Sequence, residues 1–168
     1  YFQTEKYFKN VEKIIRKDFT FKEEYRIPCE EMIGKEEYIA LHIRRTDYLQ
    51  NAANHNNLTL EYYEKALAKF PEDSQVIIFS DDPQWCSEQD LFSDDRFLVS
   101  ENTNGYVDLC LMSMCKHFII ANSTFSWWGA WLSKNKNKRV IAPSQWFGPA
   151  NKHLNTKDIY CEGWEIIV

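Results

Sequence analysis

The run Tyr38-Ile39-Ala40-Leu41-His42-Ile43-Arg44-Arg45-Thr46-Asp47-Tyr48 passes from an apolar strand directly into a cluster of charge. Its first six residues are almost wholly apolar, as a central parallel strand must be when both of its faces are covered. Two adjacent guanidiniums follow, with a histidine before them and a carboxylate after. In an open α/β sheet, ligands bind just beyond the carboxyl ends of the strands. Arginine at that place suits a diphosphate, because its planar fork offers paired donors and never loses its charge.

Outward from this run, strands and helices alternate. Residues 4–19 carry Phe8, Val11, Ile14 and Ile15 at helical spacing and read as an amphipathic helix. Residues 20–37, with Pro28 and Gly34, read as a connector or short helix. After the Asn-rich loop 51–57, Thr59 caps a helix through Phe70, with Tyr63, Ala66, Leu67 and Phe70 on one face and Pro71 as its stop. Val76–Phe79 is a second strand and runs into Ser80-Asp81-Asp82-Pro83; a short helix over Trp85–Gln89 follows. Phe97–Val99, His117–Ala121, Val140–Ala142 and Trp164–Val168 read as further strands, with apolar helices over Tyr106–Cys115 and from Asn122-Ser123-Thr124 to about Ser133 between them. The stretch Ser144–Trp164 reads as a surface wrap. This alternation predicts an α/β fold with a Rossmann-like, doubly wound parallel sheet. Residues 1–37 form a helical lead-in and residues 38–168 the sheet domain.

Composition narrows the function. The chain has 168 residues, 44% hydrophobic and 27% charged, enough for one domain with a core. A net charge of −5 excludes a nucleic-acid partner that needs a broad basic face. No apolar run reaches the ~20 residues that span a bilayer. Residues 1–20, with Lys6, Lys9, Lys13, Arg16 and Lys17 among acids, do not read as a secretory leader. Five scattered cysteines without a Cys-x-x-Cys pair argue for reduced thiols and against a zinc ribbon. With five glycines in all, there is no Gly-x-Gly-x-x-Gly, Walker loop or nucleophile elbow.

Three strand ends gather polar groups: His42 to Asp47, Ser80 to Asp82, and Asn122 to Ser126. A parallel sheet brings all three to one edge. Arg44 and Arg45 are read as a phosphate clamp, against the alternative of surface Arg-Asp pairs worth little. His42 shares a strand face with Arg44 by the alternation of side chains, and reads equally as a ligand contact or as a core histidine. Asp81 and Asp82 are placed to accept two N–H donors from a guanine edge or the hydroxyls of a ribose, with one of them capping the next helix. A metal reading of that pair lacks a third ligand. Asn122, Ser123, Thr124 and Ser126 open a helix whose free N–H groups make an anion site. In that helix Phe125, Trp128, Gly129 and Leu132 read as the core stripe, with Trp127 and Trp131 on a neighbouring face.

These blocks resemble the α-1,2-fucosyltransferases of glycosyltransferase family 11. The resemblance lies in His42 to Tyr48, in Phe79-Ser80-Asp81-Asp82 with Trp85-Cys86, in Asn122 to Leu132, and in the opening Tyr1-Phe2-Gln3-Thr4-Glu5-Lys6-Tyr7-Phe8. It implies the C-terminal, donor-binding half of a GT-B transferase, the N-terminal acceptor-side domain lying outside this chain. It implies GDP-fucose as donor, inverting transfer to the 2-hydroxyl of a galactose-terminated glycan, and no cofactor or essential metal. His42 and one of Asp81 or Asp82 would contact guanine or ribose, Arg44 the β-phosphate, and Asn122, Ser123, Thr124 and Ser126 the diphosphate, with Arg45 and Ser80 also at the donor. The resemblance assigns no general base: Asp47 is one candidate, with bracing of Arg44 or Arg45 as its other role, and the absent half or water are the alternatives. The expected setting is bacterial and cytoplasmic, with peripheral association at the inner membrane.

Overall fold

In the computed structural model, which describes residues 3–102 and 104–168, the apolar run becomes β1 (Tyr38–Ile43), buried from Ile39 to Ile43. Tyr1 and Phe2, the first letters of the family-like opening, lie outside the described residues. Five more strands join β1: β2 (Gln75–Ser80), β3 (Phe97–Val99), β4 (His117–Ile119), β5 (Val140–Pro143) and β6 (Glu165–Ile167). All pairings are parallel, in the order β3-β2-β1-β4-β5-β6. The chain therefore walks outward from β1 to β3, returns, and walks the other way from β4 to β6. The reversal between β1 and β4 is the topological switch point, and the order is that of dinucleotide-binding folds.

The helices are α1 (Glu12–Asp18), α2 (Glu23–Ile33), α3 (Thr46–Gln50), α4 (Leu60–Leu67), α5 (Pro83–Ser87), α6 (Gly105–Met114) and α7 (Thr124–Leu132). They cover both faces of the sheet. On one face Tyr62, Tyr63, Ala66 and Leu67 of α4 pack on Ile39, Leu41, Ile43, Val76 and Ile78. On the other, Leu111 and Met112 of α6 and Trp127 and Ala130 of α7 pack on Ala40, Ile77, Phe79 and Phe118. The alternation of β1 side chains thus turns His42 toward the α6–α7 face. Phe8 and Cys29, from the lead-in, are buried in that same cluster. All five cysteines are buried free thiols. No helix among the described residues is long and apolar enough to cross a membrane.

Three local readings change. The continuous helix expected over residues 4–19 is two 3-10 turns, Glu5–Tyr7 and Lys9–Val11, followed by the short α1. Phe8 reaches the core, but Val11 and Ile14 point to solvent, so one straight helix would not have served the packing. Residues 46–50, for which the sequence predicts no element, form α3, although they carry no apolar periodicity. In α7, Gly129 and Leu132 of the expected stripe are buried, but Trp127, Ala130 and Trp131 are buried with them, and Phe125 and Trp128 are half-buried. The Trp127 indole N–H donates to Ile159 O at 2.7 Å, which satisfies the polar end of a fully buried ring.

Candidate functional site

The ends of β1, β2 and β4 converge as the sequence predicts, and Asp81 organises them. Its carboxylate sits just past β2 and reaches across to the β1 end. It accepts the backbone N–H of Arg45 at 2.9 Å, the backbone N–H of Thr46 at 3.0 Å and the Thr46 hydroxyl. Arg44 Nε lies 3.5 Å away. An ionised carboxylate has about four acceptor positions, so these neighbours leave Asp81 little for a ligand. Asp82 is also engaged: it caps α5 through the Trp85 N–H at 3.3 Å and pairs with Arg45 Nε at 3.3 Å. Ser80 Oγ accepts the Asp82 N–H at 3.0 Å. The Arg45 guanidinium lies over Trp85, 3.7 Å from the ring centroid. These contacts lock the turn that carries Arg44.

Arg44 is a third exposed and pairs with Asp47 Oδ1 at 2.8 Å. Burial opposes its charge, but the hydrogen bond it donates to Asp47 and the field of Asp81 outweigh that and raise its pKa. The same hydrogen bond holds the Asp47 carboxyl below the usual range, which makes it a weak proton acceptor. The two arginines therefore do not form an unpaired positive patch.

Two cavities flank Arg44. One, of about 310 Å³, opens at the switch point between Arg44, Asp47, Tyr48 and His55 on one side and Asn122, Ser123, Thr124 and Trp146 on the other. The second, of about 250 Å³, lies toward β2 and α6 and is walled by His42, Ser80, Asp81, Asn102, Gly105 and Asp108. Arg44 and Phe125 belong to both walls. His42 is buried, its ring 5.4 Å from that of Phe125, and its Nδ1 has no hydrogen-bond partner among the described residues. Burial, with Arg44 adding to it, pushes its pKa down to about 3, so the ring is neutral near pH 7.

The third block divides by role. Ser123 caps α7 by accepting the Phe125 N–H at 3.3 Å. Thr124, half-buried, faces the switch-point cavity at the α7 N-terminus. Asn122 is buried and donates both amide hydrogens inward, to Asn56 O at 2.9 Å and Trp146 O at 2.8 Å, while its carbonyl accepts the Tyr48 hydroxyl at 3.0 Å. Ser126 is fully buried and donates back to Ala121 O or Ser123 O. Of the residues singled out in the sequence, Arg45, Asp82 and Ser126 thus wall neither cavity.

Several wall residues escaped the sequence reading. Asp108 sits in the first turn of α6, takes hydrogen bonds from Ser100 Oγ at 2.7 Å and Asn102 Nδ2 at 3.0 Å through Oδ1, and faces the second cavity. A carboxylate in an otherwise apolar helix was the available signal. His55 stacks on Tyr48 at 4.1 Å, and its backbone bridges to Phe147, ninety-two positions on in the chain. Gln3 reaches the switch-point cavity from the other end of the chain. No group of three or more His, Cys, Asp or Glu among the described residues is arranged to hold a metal. A separate cavity of about 300 Å³, between α1 and the C-terminal ends of α6 and α7, lies at the opposite sheet edge, away from these groups.

Comparison with known proteins bears on this edge. The model of the family described as glycosyl transferase family 11 matches residues 1–168. An O-antigen biosynthesis glycosyltransferase, WbnK, of Escherichia coli is 42% identical over 128 residues, covering 71% of this chain and 42% of the relative. An alpha-1,2-colitosyltransferase of Escherichia coli is 39% identical over 136 residues, 75% of this chain and 46% of the relative. A galactoside 2-alpha-L-fucosyltransferase of Caenorhabditis elegans is 28% identical over 152 residues, 82% of this chain and 42% of the relative. The chain thus spans less than half the length of these relatives. Among solved structures, POFUT1 in complex with GDP superposes with a TM-score of 0.51 at 14% identity, over 72% of this chain and 47% of that one. That likeness concerns the fold.

Proposed function

The chain belongs to glycosyl transferase family 11, and from that premise we propose that it is the donor-binding half of a GT-B transferase that moves L-fucose from GDP-fucose to the 2-hydroxyl of a galactose in a glycan. The observation that carries this reading is Arg44, a guanidinium fixed at the switch point and shared by two cavities. The diphosphate spans Arg44. The guanine enters the cavity of His42, Asn102 and Asp108, and the sugar the cavity of Thr124 and Tyr48. Asp108 replaces Asp81 as the guanine acceptor in this proposal, because the Asp81 oxygens are committed to the Arg44 turn.

As the glycosidic bond breaks, negative charge grows on the departing GDP. Arg44 and the N–H groups that open α7 meet that charge, and they stabilise it more in the transition state than in the bound substrate. The transfer inverts the anomeric centre. In this reading the charge on the leaving group is met by protein groups rather than by a metal. Asp47 braces Arg44. Its lowered pKa suits bracing better than taking a proton from the acceptor.

The 39% identity to a colitosyltransferase supports a second donor, GDP-colitose. The two sugars differ by one ring hydroxyl, and a site that hydrogen-bonds a hydroxyl rejects the analogue that lacks it. The relative named for O-antigen biosynthesis supports a bacterial surface glycan as acceptor, met in the cytoplasm or at the inner face of the membrane. Titration of the protein with GDP and with ADP tests the donor assignment. GDP is expected to bind in preference to ADP, and Arg44→Ala to weaken it at least about tenfold. Equal binding of both nucleotides, or an unaffected Arg44→Ala variant, overturns it.

A further inference from the structure

The cavities do not end at the donor. A larger one, of about 390 Å³, adjoins the switch-point cavity, and the two share Trp146 and Phe147 as walls. It runs along the segment that follows β5, beside Asn56, Gln145 and Thr156. Beyond it, a smaller cavity of about 180 Å³ shares Asn56, Ser144 and Gln145 and continues to the end of β6. Asn57, which lines that far end, has a buried side-chain oxygen with no hydrogen-bond partner among the described residues. Four adjoining cavities therefore follow one another along the carboxyl edge of the sheet, from β2 past β1, β4 and β5 to β6.

The chemistry of this extension differs from that of the donor end. Its polar groups are uncharged amides and hydroxyls, with Lys152 as the one charged residue in its first cavity. The Gln145 and Thr156 side chains make no hydrogen bond among the described residues. Phe147 supplies a half-buried aromatic face. A saccharide presents hydroxyls around its ring and C–H groups on its faces, so amides with an aromatic wall match it, whereas an anion would find little charge. Asn56 Nδ2 donates to Gln145 O at 3.2 Å, which fixes the wall that these two cavities share.

We infer that the groove walled by Phe147, Gln145 and Thr156 is a subsite for a neutral oligosaccharide acceptor, with its reacting galactose at the Phe147 end and the following sugars toward Asn57. The inference rests on the donor reading above. It adds that the donor-binding half itself grips the acceptor beyond the reacting residue.

The test uses the full-length protein saturated with GDP. Galactose, N-acetyllactosamine and lacto-N-neotetraose are titrated by ligand-observed NMR. Affinity is expected to rise with each lengthening, and Gln145→Ala and Thr156→Ala to remove about tenfold from the tetrasaccharide while sparing GDP and free galactose. Tetrasaccharide affinity equal to that of galactose, wild-type affinity in both variants, or no saccharide binding in the GDP complex overturns the subsite and leaves the donor reading standing. Failure to bind GDP overturns the donor reading, and the subsite with it. Gln145 is exposed, so its variant keeps the test independent of folding, and GDP affinity serves as the control for both.

Discussion

Replacing Asp81 by Asn separates a bracing carboxylate from a base-reading one. Asparagine keeps one oxygen, so one of the donors held at 2.9 and 3.0 Å, Arg45 N–H and Thr46 N–H, loses its acceptor and faces an NH₂ group instead. The other bond loses its charge assistance. Asp81 is 17% exposed, which limits rescue by water. A hydrogen bond to a charged group is worth ~1.5–3 kcal/mol and an orphaned buried donor costs ~1–3 kcal/mol, so the variant should lose about 3 kcal/mol. For a chain of this size that is roughly 6–12 °C in Tm. Urea unfolding, with GDP, IDP and ADP titrations on the same samples, measures both halves of the claim. Stability should fall, and affinity for every nucleotide should fall in parallel as the Arg44 turn loosens. Asp108→Asn should instead narrow the preference for GDP. Stability within about 0.5 kcal/mol of wild type, together with loss of base preference in Asp81→Asn, would refute the bracing argument.

Three further outcomes follow from the same geometry. Asn122→Ala strands the carbonyls of Asn56 and Trp146 in a buried site, and should cost about 2–4 kcal/mol in urea unfolding. His42 has a folded pKa near 3, below its unfolded value of about 6.5; its contribution is present above pH 6.5, and stability should decline by up to ~1.4 kcal/mol per pH unit as pH falls from there toward 3, a slope that His42→Gln should flatten. A Cβ on Gly148 would meet the backbone oxygens of Ala52 and Ala53 at 2.6 and 2.7 Å; Gly148→Ala should push away the loop that holds His55, and proteolysis within residues 51–57 should become faster, whereas unchanged cleavage would show that the loop is held elsewhere.

The sheet was legible because buried parallel strands are written as unbroken apolar runs, and β1, β2 and β4 stand out as such. The convergence of the three polar blocks follows from that topology, so Arg44, Thr124 and His42 were placed on the correct edge. Their division of labour was not legible. Whether a carboxylate at a strand end faces a ligand or a backbone N–H depends on a neighbouring strand thirty-six residues away, as Asp81 and Arg45 show. Asn122 looked like a phosphate donor because its partners, Asn56 and Trp146, come from loops without pattern. The short α3 was missed because Asp81 and Asp47 hold its entry, and no apolar stripe does. Val11 and Ile14 misled for the converse reason: their helical spacing is real, but the face they form is turned outward.

The pairing of Arg44 and Arg45 with Asp47, Asp81 and Asp82 leaves that corner one negative charge in excess of neutrality. Such a corner exerts no long-range pull on anions, so free phosphate or sulfate gains little by approaching it. In the proposed reading a ligand meets Arg44 while Asp47 keeps it in place, and offsets the local negative charge through contacts on both sides at once. Discrimination between a nucleotide sugar and the abundant small anions of a cell would then be set by shape and directed hydrogen bonds. Nucleotide affinity should accordingly depend only weakly on salt.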